Sequence, residues 1–124
     1  VAFAASLIRN LTGLGSLMSF SVNSAFPNGE IESYMAEKLA AVDYQTKEKI
    51  ILATKEVLAF IKALGAKRGR LVETDIRVNR EKNDYIVLLR SNGYEIKTEE
   101  INHTICKSFD YTRVLGMNQI KIVV

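Results

Sequence analysis

Few residues in this 124-residue sequence are of types that do chemistry. Cys106 is the one cysteine and His103 the one histidine. A thiolate can attack carbon or hold a soft metal, but one cysteine makes no internal disulfide. With a single histidine it makes no dedicated zinc site either. Cys106 shares helical spacing with Ile101, Ile105 and Phe109, which reads as a buried, inert thiol. His103 has no serine or cysteine partner at a recognisable spacing and reads as structural. The carboxylate Glu56 lies in an amphipathic helical pattern, where a glutamate by itself is a solvated surface group. Ser91-Asn92-Gly93 follows an apolar run and by itself is a turn. Lys62, Lys67, Arg68 and Arg70 gather at the end of the helix that carries Glu56, where cations offset the helix dipole whatever the function.

The elements that must position these groups fit one domain. Hydrophobic residues make up 48% and charged residues 25%, the balance of an ordinary globular chain. The net charge of +3 is too small to argue for nucleic acid. Val1–Phe20 is mostly apolar, yet Arg9, Asn10, Gly13 and Gly15 interrupt the run that a membrane span requires. It has no basic region ahead of an apolar core, so it does not fit a secretory signal. Ala4, Leu7, Ile8, Leu11, Leu14 and Met18 recur at helical spacing, and an amphipathic helix is expected over residues 1–18. Such a stripe packs on its own domain or, as the second option, holds a homodimer. A single cysteine suits a reducing, cytoplasmic setting.

Ser19–Val22 reads as a first strand. Asn28 is expected to cap a helix with Ile31, Tyr34, Met35, Leu39 and Val42 on one face. Thr46 is expected to cap the next, whose buried side is Ile50, Ile51, Val57, Leu58, Ile61 and Leu64, with Gly65 as the stop. Val72, Thr74, Ile76 and Val78 alternate with Glu73, Asp75 and Arg77 in a strand. A polar turn at residues 79–84 leads to Tyr85–Arg90, whose apolar run suits a central strand. Thr98 can cap a third helix carrying Ile101, Ile105 and Phe109. Tyr111–Leu115, a turn at Gly116-Met117-Asn118 and Ile120–Val124 close the chain. The expected fold is an α/β two-layer sandwich, with helices on one face of a mixed, mostly antiparallel sheet.

That order, with Glu56 inside the long helix and Ser91-Asn92-Gly93 after the central strand, resembles the Bergerat-fold (GHKL, histidine-kinase-like) ATPases. Within them it is most similar to the anti-sigma-factor serine kinase branch. The resemblance covers residues 19–124 and extends to Asp110-Tyr111-Thr112-Arg113-Val114-Leu115-Gly116-Met117-Asn118, which looks like that family's closing strand pair. It implies a Glu-x-x-x-Asn motif on the long helix, the glutamate as base and the asparagine holding the Mg²⁺ that bridges the phosphates. Glu56 matches the glutamate, but the asparagine position is Phe60, which offers no oxygen to a hard cation. It also implies an Asp-x-Gly motif that binds adenine. Here Ser91 stands for the aspartate and Gly93 keeps the glycine. A serine bonds the base without the charge assistance of a carboxylate. The flexible lid and its Gly-x-Gly element have no counterpart between Gly93 and Tyr111.

The resemblance therefore implies a degenerate ATPase-type domain, with Phe60, Ser91 and Gly93 at the positions of the nucleotide cleft and Glu56 as a vestigial base. The expected role is a regulatory, anti-sigma-like protein-binding module that uses no metal and no cofactor. The alternative is an active ATP-binding serine kinase or ATPase using Mg-ATP with Glu56 as base. The third option, a nucleic-acid-binding domain, rests on the net charge and the basic cluster alone.

Overall fold

The computed structural model describes residues 15–23, 28–69, 71–101 and 105–124. Strand β1 (Gly15–Asn23) leads into helices α1 (Asn28–Lys38) and α2 (Tyr44–Lys67). Strands β2 (Glu73–Glu81), β3 (Asp84–Ser91), β4 (Ser108–Val114) and β5 (Met117–Val123) follow. They form one five-stranded sheet in the order β1-β2-β3-β5-β4, and every pairing is antiparallel. The fold is the expected two-layer α/β sandwich, with both helices on one face, but the sheet expected to be mixed is antiparallel throughout.

The period-two pattern of β2 sorts its side chains as expected. Thr74, Ile76 and Val78 are buried while Glu73, Asp75 and Arg77 are exposed. Register then fixes the faces of the other strands. Ile76 pairs with Leu89, which pairs with Ile120; Val78 pairs with Val87, which pairs with Ile122. These residues meet Met35 and Leu39 of α1 and Ile50, Val57 and Ile61 of α2 in one apolar core. Phe20 and Tyr34 pack in a tilted pair, 4.9 Å between centroids, where α1 meets β1. Lys55 and Glu32 bridge the two helices at 2.7 Å, a half-exposed ion pair that adds at most about 1 kcal/mol.

Several local expectations are corrected. Asp43, not Thr46, caps α2: its carboxylate accepts the Thr46 backbone N–H at 3.0 Å, and the helix starts at Tyr44. Asn28 is already the first residue of α1. Among the described residues of the expected third helix, Thr98–Glu100 form a single 3-10 turn and Phe109 belongs to β4. Residues 15–18, given to an N-terminal helix, open β1, and Met18 is buried in the core. The rest of that expected helix, residues 1–14, lies outside the described residues, as do His103 and Arg70. The last turn is Leu115-Gly116, both at positive φ, so Met117 and Asn118 are already in β5. No helix among the described residues is long and apolar enough to cross a membrane.

The cap carries a pH signature. The Thr46 backbone N–H, followed by its side-chain hydroxyl, holds the Asp43 carboxyl below its ordinary value. A depressed carboxylate stabilises the fold above its unfolded pKa, and that contribution fades as pH falls through the folded one. Asp43→Ala should therefore lower the melting temperature at pH 7 and lower it less near pH 3. Thermal melts at the two pH values check both parts.

Candidate functional site

The expected site residues fall into two groups. Glu56 is exposed on α2, and Phe60, one turn on, is half-buried against the core. Ser91 and Gly93 are both buried at the end of β3, where the last turns of α2 cover the sheet. Ile61, Leu64 and Gly65 of α2, Val72, Tyr94, Ile96 and Asn118 surround them. Neither Glu56 nor Phe60 lines that space. The packing leaves no volume there that a water molecule could occupy.

Asn118 fills the centre. It lies on the core face of β5, opposite Ser91, and is 1% exposed. Its Oδ1 accepts the Tyr111 hydroxyl at 2.6 Å and Arg113 Nη1 at 2.7 Å. Its Nδ2 donates to the Tyr94 carbonyl at 2.7 Å and, at 3.4 Å, to Ser91 Oγ. Two donors meet the oxygen and two acceptors meet the nitrogen, so the amide's full capacity is used. Tyr111 OH also accepts the Ile96 backbone N–H at 3.1 Å, and Arg113 Nη1 also donates to the Gly93 carbonyl at 3.0 Å. The network thus ties β4 and β5 to the segment after β3 at three successive points, Gly93, Tyr94 and Ile96.

Neighbouring contacts fix the same segment from the other side. Asn92 Oδ1 accepts the Glu73 backbone N–H at 2.9 Å, extending the β2–β3 ladder through a side chain. The Arg68 guanidinium lies 4.6 Å over the Tyr94 ring and joins the end of α2 to the loop. A Cβ on Gly93 would stand 3.2 Å from Val72 Cγ1 and 3.3 Å from Cγ2. The missing side chain leaves room for the close approach of Val72.

The remaining candidates offer little chemistry. Cys106 is half-buried, and burial pushes its thiol pKa up, which disfavours the nucleophilic thiolate. Among the described residues no cluster of His, Cys, Asp or Glu could hold a metal ion. No buried side-chain nitrogen or oxygen among them lacks a hydrogen-bond partner. The sheet face opposite the helices carries Arg77, Arg90 and Lys121 beside Asp75 and Asp110, so its charges are mixed. The sheet's aromatic residues, Phe20, Tyr85, Phe109 and Tyr111, pack against the core instead, leaving that face without a platform on which bases could stack.

Sequence reasoning named Ser91 and Gly93 but missed the residue that joins them. The signal was present: Asn118, Ile120, Ile122 and Val124 alternate as one strand face, and an asparagine in such a row must find partners inside. Compared with known proteins, the chain matches no protein-family model and no curated sequence.

Proposed function

We propose that this chain is a regulatory protein-binding domain, built on a Bergerat-like ATPase architecture whose nucleotide cleft has become a structural junction. One observation carries the reading. The space around Ser91 and Gly93 is closed by Asn118, Tyr94, Ile96 and Val72, with no room even for water. Three features add support. Phe60 packs its ring against the core at the position where the resembled family has a metal-binding asparagine. Glu56 stands exposed, away from the junction. The segment after β3 is tied down at Gly93, Tyr94 and Ile96. With the junction around Ser91 and Gly93 closed, the proposed domain acts through its surface. The anti-sigma-like role and the cytoplasmic setting follow the resemblance and the single cysteine.

The kinase alternative makes a different forecast, and Glu56 separates the two. Glu56→Gln should leave the melting temperature within the change of about 0.5 kcal/mol typical of exposed sites. It should also leave partner capture unchanged, with nucleotide absent in both cases. A partner bound only with Mg-ATP would sink the proposal. So would phosphate transferred from labelled ATP by the wild type and not by Glu56→Gln.

A further inference from the structure

Register gathers three cations on the sheet face opposite the helices. Ile76, Leu89 and Ile122 belong to the core that the helices cover, so Arg77, Leu88, Arg90 and Lys121 point the other way. Arg77, Leu88, Lys121 and Asp110 stand side by side across β2, β3, β5 and β4. Arg90 lies two residues beyond Leu88 on the same strand. Strand spacing puts Arg77 and Lys121 roughly 10 Å apart with Leu88 between them, and Arg90 about 7–8 Å from each. The three cations are exposed and Leu88 is half-buried. The ion pairs among the described residues, Lys55 with Glu32 and Lys107 with Asp84, use none of the three. Asp75, which register sets opposite Arg90, accepts the Ser21 hydroxyl at 2.5 Å on its Oδ1. Asp110 lies further out, on the edge strand β4.

Like charges held this close repel one another, and an anion laid among them relieves that repulsion while gaining their attraction. Arg77 and Arg90 carry planar guanidinium forks, which take a carboxylate two hydrogen bonds at a time. Leu88, at the centre of the triangle, offers an apolar contact that a purely ionic site would lack. Hollows of about 250 Å³ beside β1 and about 370 Å³ toward β4 flank the ridge of Leu88 and Arg90. They have room for the side chains of a segment laid across it. Nucleic acid would meet the same cations but no aromatic platform for its bases. We infer that an acidic segment of a protein partner, its carboxylates interspersed with apolar side chains, docks on Arg77, Arg90 and Lys121 over Leu88. This rests on the protein-binding reading above and names the face and the partner chemistry that it uses.

Fluorescence anisotropy of a labelled peptide of repeated Glu-Glu-Leu units, added to the full chain without nucleotide, tests the inference. The wild type should bind with a Kd below about 100 μM. Arg90→Glu should weaken binding about tenfold or more, and Leu88→Ala, which keeps the charge, should weaken it severalfold. Lys49→Glu makes the same change of net charge on the exposed surface of α2 and should alter the Kd less than about twofold. Equal losses in Arg90→Glu and Lys49→Glu would overturn the inference, because net charge alone would then explain the binding. A wild type that does not bind the peptide would overturn it too, leaving the closed junction to be judged by its response to Mg-ATP. Tighter binding of a single-stranded oligonucleotide, lost in Arg90→Glu, would overturn it by giving the face to nucleic acid.

Discussion

Asn118→Ala is expected to destabilise the fold by about 3 kcal/mol, because it removes a buried amide that bonds several neighbouring groups at once. Tyr111 OH loses its acceptor, the Tyr94 carbonyl its donor, and Arg113 one of its two acceptors. A gap the size of an amide is left where the packing is closed to water. At about 4 °C per kcal/mol for a domain of this length, the midpoint should fall by roughly 12 °C. Ser91→Ala gives the contrast. Its bond to Asn118 is the longest of the network at 3.4 Å, and the Asn118 nitrogen keeps the Tyr94 carbonyl at 2.7 Å. That variant should cost less than about 1 kcal/mol. Equal losses in the two variants would mean that Asn118 is not the hub.

Leu89→Ala should cost about 2–5 kcal/mol, the range for a leucine truncated in a packed core. Leu89 is 1% exposed and sits on the central strand between Ile76 and Ile120. A domain of this size has only about 5–15 kcal/mol of stability in total, so the upper end of that loss would leave part of the population unfolded. Leu88, the next residue, points to the other face and is half-buried. Leu88→Ala should cost about 1 kcal/mol, in proportion to the smaller area it covers. Urea denaturation of both variants, with similar slopes and different midpoints, checks the assignment of faces.

The elements that were legible in the sequence are those whose spacing fits one period only. Ile50, Ile51, Val57, Leu58 and Ile61 cannot share a face of a strand, and α2 forms where that pattern predicts. Val72, Thr74, Ile76 and Val78 cannot share a helix face, and all four are buried on one side of the sheet. The misread segments are those where both periods fit. Ile101, Ile105 and Phe109 are four apart, an interval that suits a helix but is also an even number of strand positions. Phe109 accordingly continues as Phe109, Tyr111, Arg113 along the core face of β4. Leu14 and Met18 are also four apart, and Met18 turns out to alternate with Phe20 and Val22 in β1. Spacing cannot choose between the periods in such cases; pairing with a neighbouring strand does.

The site was half legible for a related reason. Ser91 and Gly93 are adjacent in sequence to a recognisable turn, whereas Tyr111, Arg113 and Asn118 reach them only through the β3–β5–β4 register. The sheet places Asn118 directly opposite Ser91, twenty-seven residues away in the chain. Ser91 and Gly93 therefore lie, in the fold, at a junction with its own satisfied hydrogen bonds.

Thermal melting with and without millimolar Mg-ATP tests that point most directly. A nucleotide that binds only the native state must stabilise it, by about 2.7 kcal/mol at a hundred times its Kd. If Asn118 and its partners occupy the place of the nucleotide, the midpoint of the wild-type chain should stay within about 1 °C, far less than such binding would produce. A rise of several degrees, abolished by Glu56→Gln or left intact by it, would show that the junction opens to nucleotide and contradict the account.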